Sequence, residues 1–245
     1  MLGWRDHAKS TLNSLARIFG ARVVGAEWGP QGIPTALRRA KARGFHPGSV
    51  IDVGASNGQW TRQCQAVFPE AKYLLIDPLD ANKAALAAMA EEDARVSVWQ
   101  GAIGAVPGNL VLHCHGDQSS FFRSKDFLGS EKSVEVRTLD SFLTTGNLLS
   151  PLLIKADVQG YELEVLEGAA HSLDSTEILV LELSFRQYYE GGALAHEVIS
   201  FLGERKFQIY DICTYVQRPA DNELVHSDLM FVRRDSRLLA REGWF

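Results

Sequence analysis

The chain has 245 residues, 46% apolar and 22% charged, the proportions of an ordinary soluble globule of one large domain or two small ones. No stretch reaches the ~18 consecutive apolar residues of a membrane span, and the N-terminus lacks the pattern of a cleaved leader, so neither feature is expected. The net charge is −5, yet residues 1–43 hold eight basic residues against Asp6 and Glu27; the acidic remainder argues against nucleic acid as substrate, because phosphate binding needs concentrated Lys and Arg.

In chain order, Leu12, Leu15, Ile18 and Phe19 stand at helical spacing, and a second helical stretch surrounds Thr35 to Arg43. Turn-rich residues 28–34 separate the two. Residues 1–45 thus read as a helical extension capping the fold, whose basic face is a candidate for weak contact with an anionic membrane surface. From Gly48 onward, strands are expected at 50–53, 72–76, 95–103, 152–156 and 178–183, with helices at 59–68, 80–92, 160–173 and 193–204. Such alternation with nearly continuous apolar strands specifies an α/β fold with a mostly parallel sheet covered on both faces. Two further strands are expected near 109–115 and 134–139, flanking a polar loop long enough to act as a lid. Residues 207–216 and 229–233, joined by a Pro/Asn/Asp-rich turn, predict a C-terminal antiparallel hairpin. Residues 46–235 form the main domain in this reading and 236–245 a tail. Cys64, Cys114 and Cys213 are far apart with no CxxC, which suits a reducing cytoplasm.

The densest chemistry lies in Asp52-Val-Gly54-Ala55-Ser56-Asn57-Gly58. A strand ends there in a glycine-lined turn that opens a helix, where ligands bind in doubly wound sheets. Asp77 ends the next strand 19 positions after Gly58, close to the ~20-residue spacing of a ribose-binding acid. Ser56 stands where a dinucleotide fingerprint needs its middle glycine for the pyrophosphate, and there is no triphosphate-binding GxxxxGK[ST] loop. A nucleoside without phosphates suits this turn better, and S-adenosylmethionine is one. Asp52, Gly54, Ala55, Ser56, Asn57, Gly58, Asp77 and Pro78 are the expected cofactor residues, with Gly101, Ala102 and Ile103 leaving room for an adenine beside Gln100. A nicotinamide-dependent oxidoreductase and a non-catalytic nucleoside-binding protein remain the alternatives.

The run from Leu152 to Gly168, with Lys155, Asp157, Gln159, Gly160, Glu162 and Gly168 in order, resembles the hallmark of the FkbM-type family of S-adenosylmethionine-dependent methyltransferases. Asp52-Val-Gly-Ala55, Asp117–Phe121, Arg137–Asp140, Tyr189–Gly191 and Asp228–Val232 are similar to other segments of that family. The resemblance spans about residues 48–235 and implies the Rossmann-like seven-stranded methyltransferase sheet, with methyl transfer to a hydroxyl of a sugar, glycan, glycolipid or secondary metabolite. Gln159 departs from the commoner Glu; it keeps hydrogen bonding but is no base.

An attacking alcohol must lose its proton, so a base within hydrogen-bond reach is needed. Asp157, at the carboxyl end of a strand, is the first candidate and Glu182 the second; His226 reads mainly as a surface-turn histidine. Lys155 is expected to pair with Asp157 or Glu182 or to snorkel at a sheet edge, and Glu162 either offsets the helix dipole or serves function. Ser119, Ser120, Gln159 and Tyr189 are the expected acceptor-binding residues. Trp60, Phe185 and Tyr188 are either stacking platforms or core. His113-Cys114-His115 lacks a third ligand at suitable spacing, so no metal is expected.

Overall fold

The computed structural model describes residues 30–116, 118–124, 129–143 and 148–239. The expected helix within residues 4–24, and the basic residues up to Arg22, lie outside the described residues. The elements run α1 (Ile33–Ala42), β1 (Ser49–Val53), α2 (Gln59–Val67), β2 (Lys72–Ile76), α3 (Asp80–Glu92) and β3 (Val96–Trp99). They continue with β4 (Ala102–Ile103), β5 (Gly108–Cys114), β6 (Ser130–Arg137), α4 (Asp140–Leu143), β7 (Leu152–Ala156) and α5 (Glu162–Glu167). The last are α6 (Ala170–Asp174), β8 (Thr176–Ser184), α7 (Ala195–Glu204), β9 (Phe207–Ile212), β10 (Val216–Gln217) and β11 (Leu224–Arg233).

The strands richest in Val, Leu and Ile take the centre. β1 and β7 are buried at every position and pair in register, Ser49 with Leu152 through Val53 with Ala156. The sheet order is β10-β11-β8-β7-β1-β2-β3, with β9 also on β11; β3, β2, β1, β7 and β8 are parallel, and β11 runs antiparallel to its neighbours. Strand order reverses between β1 and β7, which opens a crevice past their carboxyl ends. The two-residue side-chain period sends Ile51, Val53 and Ile154 to one face and Val50 and Leu153 to the other. α5 and α7 cover the first face; α1, α2 and α3 cover the second. A second sheet, β4-β6-β5, flanks the crevice. Among the described residues no helix is long and apolar enough to cross a membrane.

Three expectations change. The run 95–103 is two strands, because the chain turns at Gly101, where a Cβ would stand 2.4 Å from the Trp99 ring; β3 joins the main sheet and β4 the small one. The helix expected over 160–173 is α5 and α6, parted at Gly168, where a Cβ would stand 2.0 Å from the Gly104 carbonyl oxygen. The C-terminal hairpin is β9 and a longer β11, with the short β10 between them. Helix α1 buries Ala36, Leu37 and Ala40 in the core, and Leu238 is buried where Arg43 donates to its carbonyl (2.6 Å). The compact unit that holds the sheet starts at Gly32 and takes in α1 and Leu238.

Candidate functional site

Only glycine fits at position 54. Its φ is +75°, and a Cβ would lie 2.0 Å from the Asp157 carbonyl oxygen, so the tips of β1 and β7 touch here. The turn continues through Ser56, itself at φ +47°, whose N–H donates to Asp77 Oδ2 (2.8 Å). Asp77 Oδ1 accepts from the Leu79 N–H and the Asn82 side chain, both at 2.9 Å. Burial pushes the Asp77 pKa up. Two oxygens offer about four acceptor positions, so these three donors leave room for one more.

A cavity of about 290 Å³ sits over these residues. Gly54, Ser56, Asp77, Pro78, Gly101, Ala102 and Ile103 line it, as do Asp157, Gln159 and Ser119. Asp52, Ala55, Asn57 and Gly58 do not. Asp52 is fully buried beneath, accepting the Thr61 hydroxyl (2.6 Å). Ala55 packs in the core, and Asn57 Oδ1 accepts the Gln59 N–H at the start of α2 (3.1 Å). Gly58 turns the chain at φ +80° with its α-carbon against Met89. Gln100 is drawn off to Asp80 (2.6 Å). Sequence reasoning missed Asn82, Leu79, Leu112, Phe121, Val158 and Tyr161 in the lining. Asn82 follows Asp77 by five positions, the one such signal available; the apolar five look like core.

At the far side lies a charged network. Lys155, buried on central β7 and not at an edge, donates to the Gly54 carbonyl (2.8 Å) and lies 3.2 Å from Asp52 and 3.8 Å from Asp157. Burial alone would lower its pKa; the Asp52 and Asp157 carboxylates outweigh it and hold the ammonium above its ordinary value. Its partners are thus Asp52 and Asp157, not Glu182. Gln159 Nε2 donates to Asp157 Oδ1 (2.9 Å) and to Glu182 Oε1 (3.1 Å), joining both expected catalytic carboxylates although Glu182 does not reach the cavity lining. Burial, with the neighbouring Asp157 and Asp228 carboxylates, pushes Glu182 up to about 8. His226 is a residue of β11 instead of a turn, its Nε2 3.9 Å from Glu182. Glu162 is buried and accepts the N–H groups of Val158 (3.0 Å) and Gly160 (3.3 Å), bracing the loop; burial pushes it up to about 7.

Residues 118–122 of the loop between β5 and β6 pack onto the site. Ser119 lines the cavity, whereas Ser120 is buried and donates to the Gln159 carbonyl (2.7 Å). Tyr189, outside the lining, donates to Gln159 Oε1 (2.9 Å), with the Gln118 carbonyl at 3.2 Å as its other acceptor. Phe121 and Phe122 pack against Tyr161 at ring separations of 4.9 and 5.4 Å. Trp60 packs on the core, while Phe185 and Tyr188 are exposed. His113 Nδ1 lies 3.3 Å from Glu131, and among the described residues no three His, Cys, Asp or Glu side chains group as metal ligands.

A family model described as the methyltransferase FkbM domain matches residues 52–209. The chain is 27% identical over 172 residues to the 2-O-methyltransferase NoeI of Sinorhizobium fredii, covering 62% of this chain and 70% of that one. It is 30% identical over 81 residues to the hexuronic acid methyltransferase AglP of Haloferax volcanii, covering 32% of this chain and 31% of that one. Among solved structures it is similar to a methyltransferase FkbM from Methylobacillus flagellatus, at TM-score 0.47 and 15% identity, covering 75% of this chain and 43% of that one.

Proposed function

The chain belongs to the FkbM family of methyltransferases, and from that premise we propose that it transfers a methyl group from S-adenosylmethionine to a hydroxyl of a sugar or glycan. The observation that carries the reading is one cavity with Asp77 at its nucleoside end and Asp157 at the other, joined through the Gly54 turn. The cofactor fits the donor set: Asp77 keeps one acceptor position for a ribose hydroxyl, the backbone at Gly54 admits close approach, and small Gly101 and Ala102 leave space for a ring. The family assignment sets aside the nicotinamide and non-catalytic alternatives. The two relatives named for 2-O-methylation and for hexuronic acid support a sugar acceptor.

When bound, S-adenosylmethionine supplies a methyl group already activated on a sulfonium. The chain therefore has two tasks, alignment of the acceptor oxygen and removal of its proton. Asp157 is assigned the second because it lines the cavity, with the Lys155 ammonium 3.8 Å from its carboxylate. Glu182, one amide away, acts by holding the bridge. Ser119 and Phe121 line the cavity from the loop between β5 and β6. A cytoplasmic setting suits three unpaired cysteines, Cys64, Cys114 and Cys213. Incubation with S-adenosylmethionine and a panel of methyl glycosides of hexoses and deoxyhexoses, read by mass spectrometry, tests the reading. One added methyl group on a glycoside supports it; cofactor binding without methylation of any glycoside overturns the sugar acceptor.

A further inference from the structure

We propose that Gln159 is a positioning residue of the transfer step, its side-chain amide bridging Asp157 and Glu182 so that Asp157 stays aimed at the acceptor hydroxyl across the whole working pH range. The inference rests on the reading of Asp157 as the proton acceptor. Gln159 sits at φ +55°, a conformation that side-chain-bearing residues seldom adopt and that marks functional sites when the surroundings enforce it. The surroundings do enforce it: Ser120 Oγ donates to its carbonyl (2.7 Å), and the Tyr189 hydroxyl donates to its Oε1 (2.9 Å). That second bond sets the amide orientation and leaves Nε2 to donate one hydrogen to Asp157 and the other to Glu182.

The charges around the bridge show why an amide matters. Lys155 of β7 and Asp52 of β1 are paired with each other. Asp228 and His226 face Glu182 from β11, Glu162 faces it from the start of α5, and Tyr189 closes the remaining side. Asp157, Glu182 and Asp228 thus lie in mutual repulsion, and Glu182 is already pushed up to about 8. A donor between two carboxylates relieves that repulsion. An amide donates at every pH, whereas a carboxyl in its place donates only while protonated.

The test uses the full chain, with Gln159→Glu, Gln159→Leu and Asp157→Asn compared with the native protein from about pH 6 to about pH 9. Gln159→Leu is expected to lower kcat roughly a hundredfold with unchanged affinity for S-adenosylhomocysteine. Gln159→Glu is expected to work at the acidic end and to lose turnover as the introduced carboxyl ionises. Independently of any acceptor, the Glu182 carboxyl carbon, labelled with ¹³C and identified by its loss in Glu182→Gln, is expected to titrate higher in Gln159→Leu, which lacks the donor. Native turnover in Gln159→Leu, or an unshifted Glu182 titration, overturns the proposal. If Gln159→Leu does not fold, the near-isosteric Gln159→Glu decides, and a pH–rate profile superimposed on the native one overturns it. An active Asp157→Asn removes the base reading and this inference together; an inactive one beside unaffected Gln159 variants removes this inference alone.

Discussion

The ammonium of Lys155 donates to the carbonyl of Gly54, across 101 positions of sequence, at 2.8 Å. One buried cation thereby ties the Gly54 turn to the strand whose tip carries Asp157 and balances Asp52 beneath. Lys155→Met is expected to destabilise the chain by about 3–5 kcal/mol, because Asp52 is left as a buried charge without its partner. Urea unfolding measures it. The double variant Lys155→Met with Asp52→Leu should recover part of the loss, since removing both charges costs less than stranding one.

Asp77→Asn keeps the side-chain volume but removes a carboxylate that accepts three hydrogen bonds. Bonds to charged groups are worth roughly 1.5–3 kcal/mol each. We expect affinity for S-adenosylmethionine to fall by a factor of about ten or more, read by calorimetric titration, with the acceptor KM little changed.

Two glycines separate binding from packing. Gly54→Ala drives a methyl group to 2.0 Å from the Asp157 carbonyl at φ +75°, beside the cavity. Gly168→Ala creates a similar clash with the Gly104 carbonyl, and Gly168 is not a lining residue. Both should lower Tm, and of the variants that remain folded only Gly54→Ala should lose cofactor binding.

Glu182 gives the fold a pH dependence. Its folded value of about 8 stands above the ordinary 4.5, so the folded chain retains a proton that the unfolded chain has lost between those limits. Stability linked to this group is therefore full on the acid side and declines as pH rises through that window. The midpoint of urea unfolding should fall more steeply with pH in the native chain than in Glu182→Gln. Because Glu162 contributes to both proteins, the difference between them isolates Glu182.

Much of this site is legible in the order of residues alone. The largely apolar runs at 50–53, 72–76 and 152–156 coincide with the central strands, because parallel strands buried on both faces favour apolar residues at nearly every position, and the buried Asp52 and Lys155 pair with each other. Gly54, Asp77 and Asp157 fall at strand ends, where the succession of strands and helices places ligands. What stayed hidden depends on tertiary contact. Gln159 meets Glu182 and Tyr189 across separations of 23 and 30 positions, which no local pattern encodes. Gly168 parts α5 from α6 against the Gly104 carbonyl, a neighbour defined only by the fold. Phe121 and Tyr161 line the cavity with residue types that sequence assigns to core.

The most direct measurement is methyl transfer by the native chain and by Asp157→Asn on the same methyl glycoside, with cofactor affinity determined in parallel. The account predicts labelled product from the native chain, a loss of about 10²–10⁴-fold in kcat for Asp157→Asn, and equal affinity of the two proteins for S-adenosylmethionine. Undiminished turnover in Asp157→Asn would contradict it.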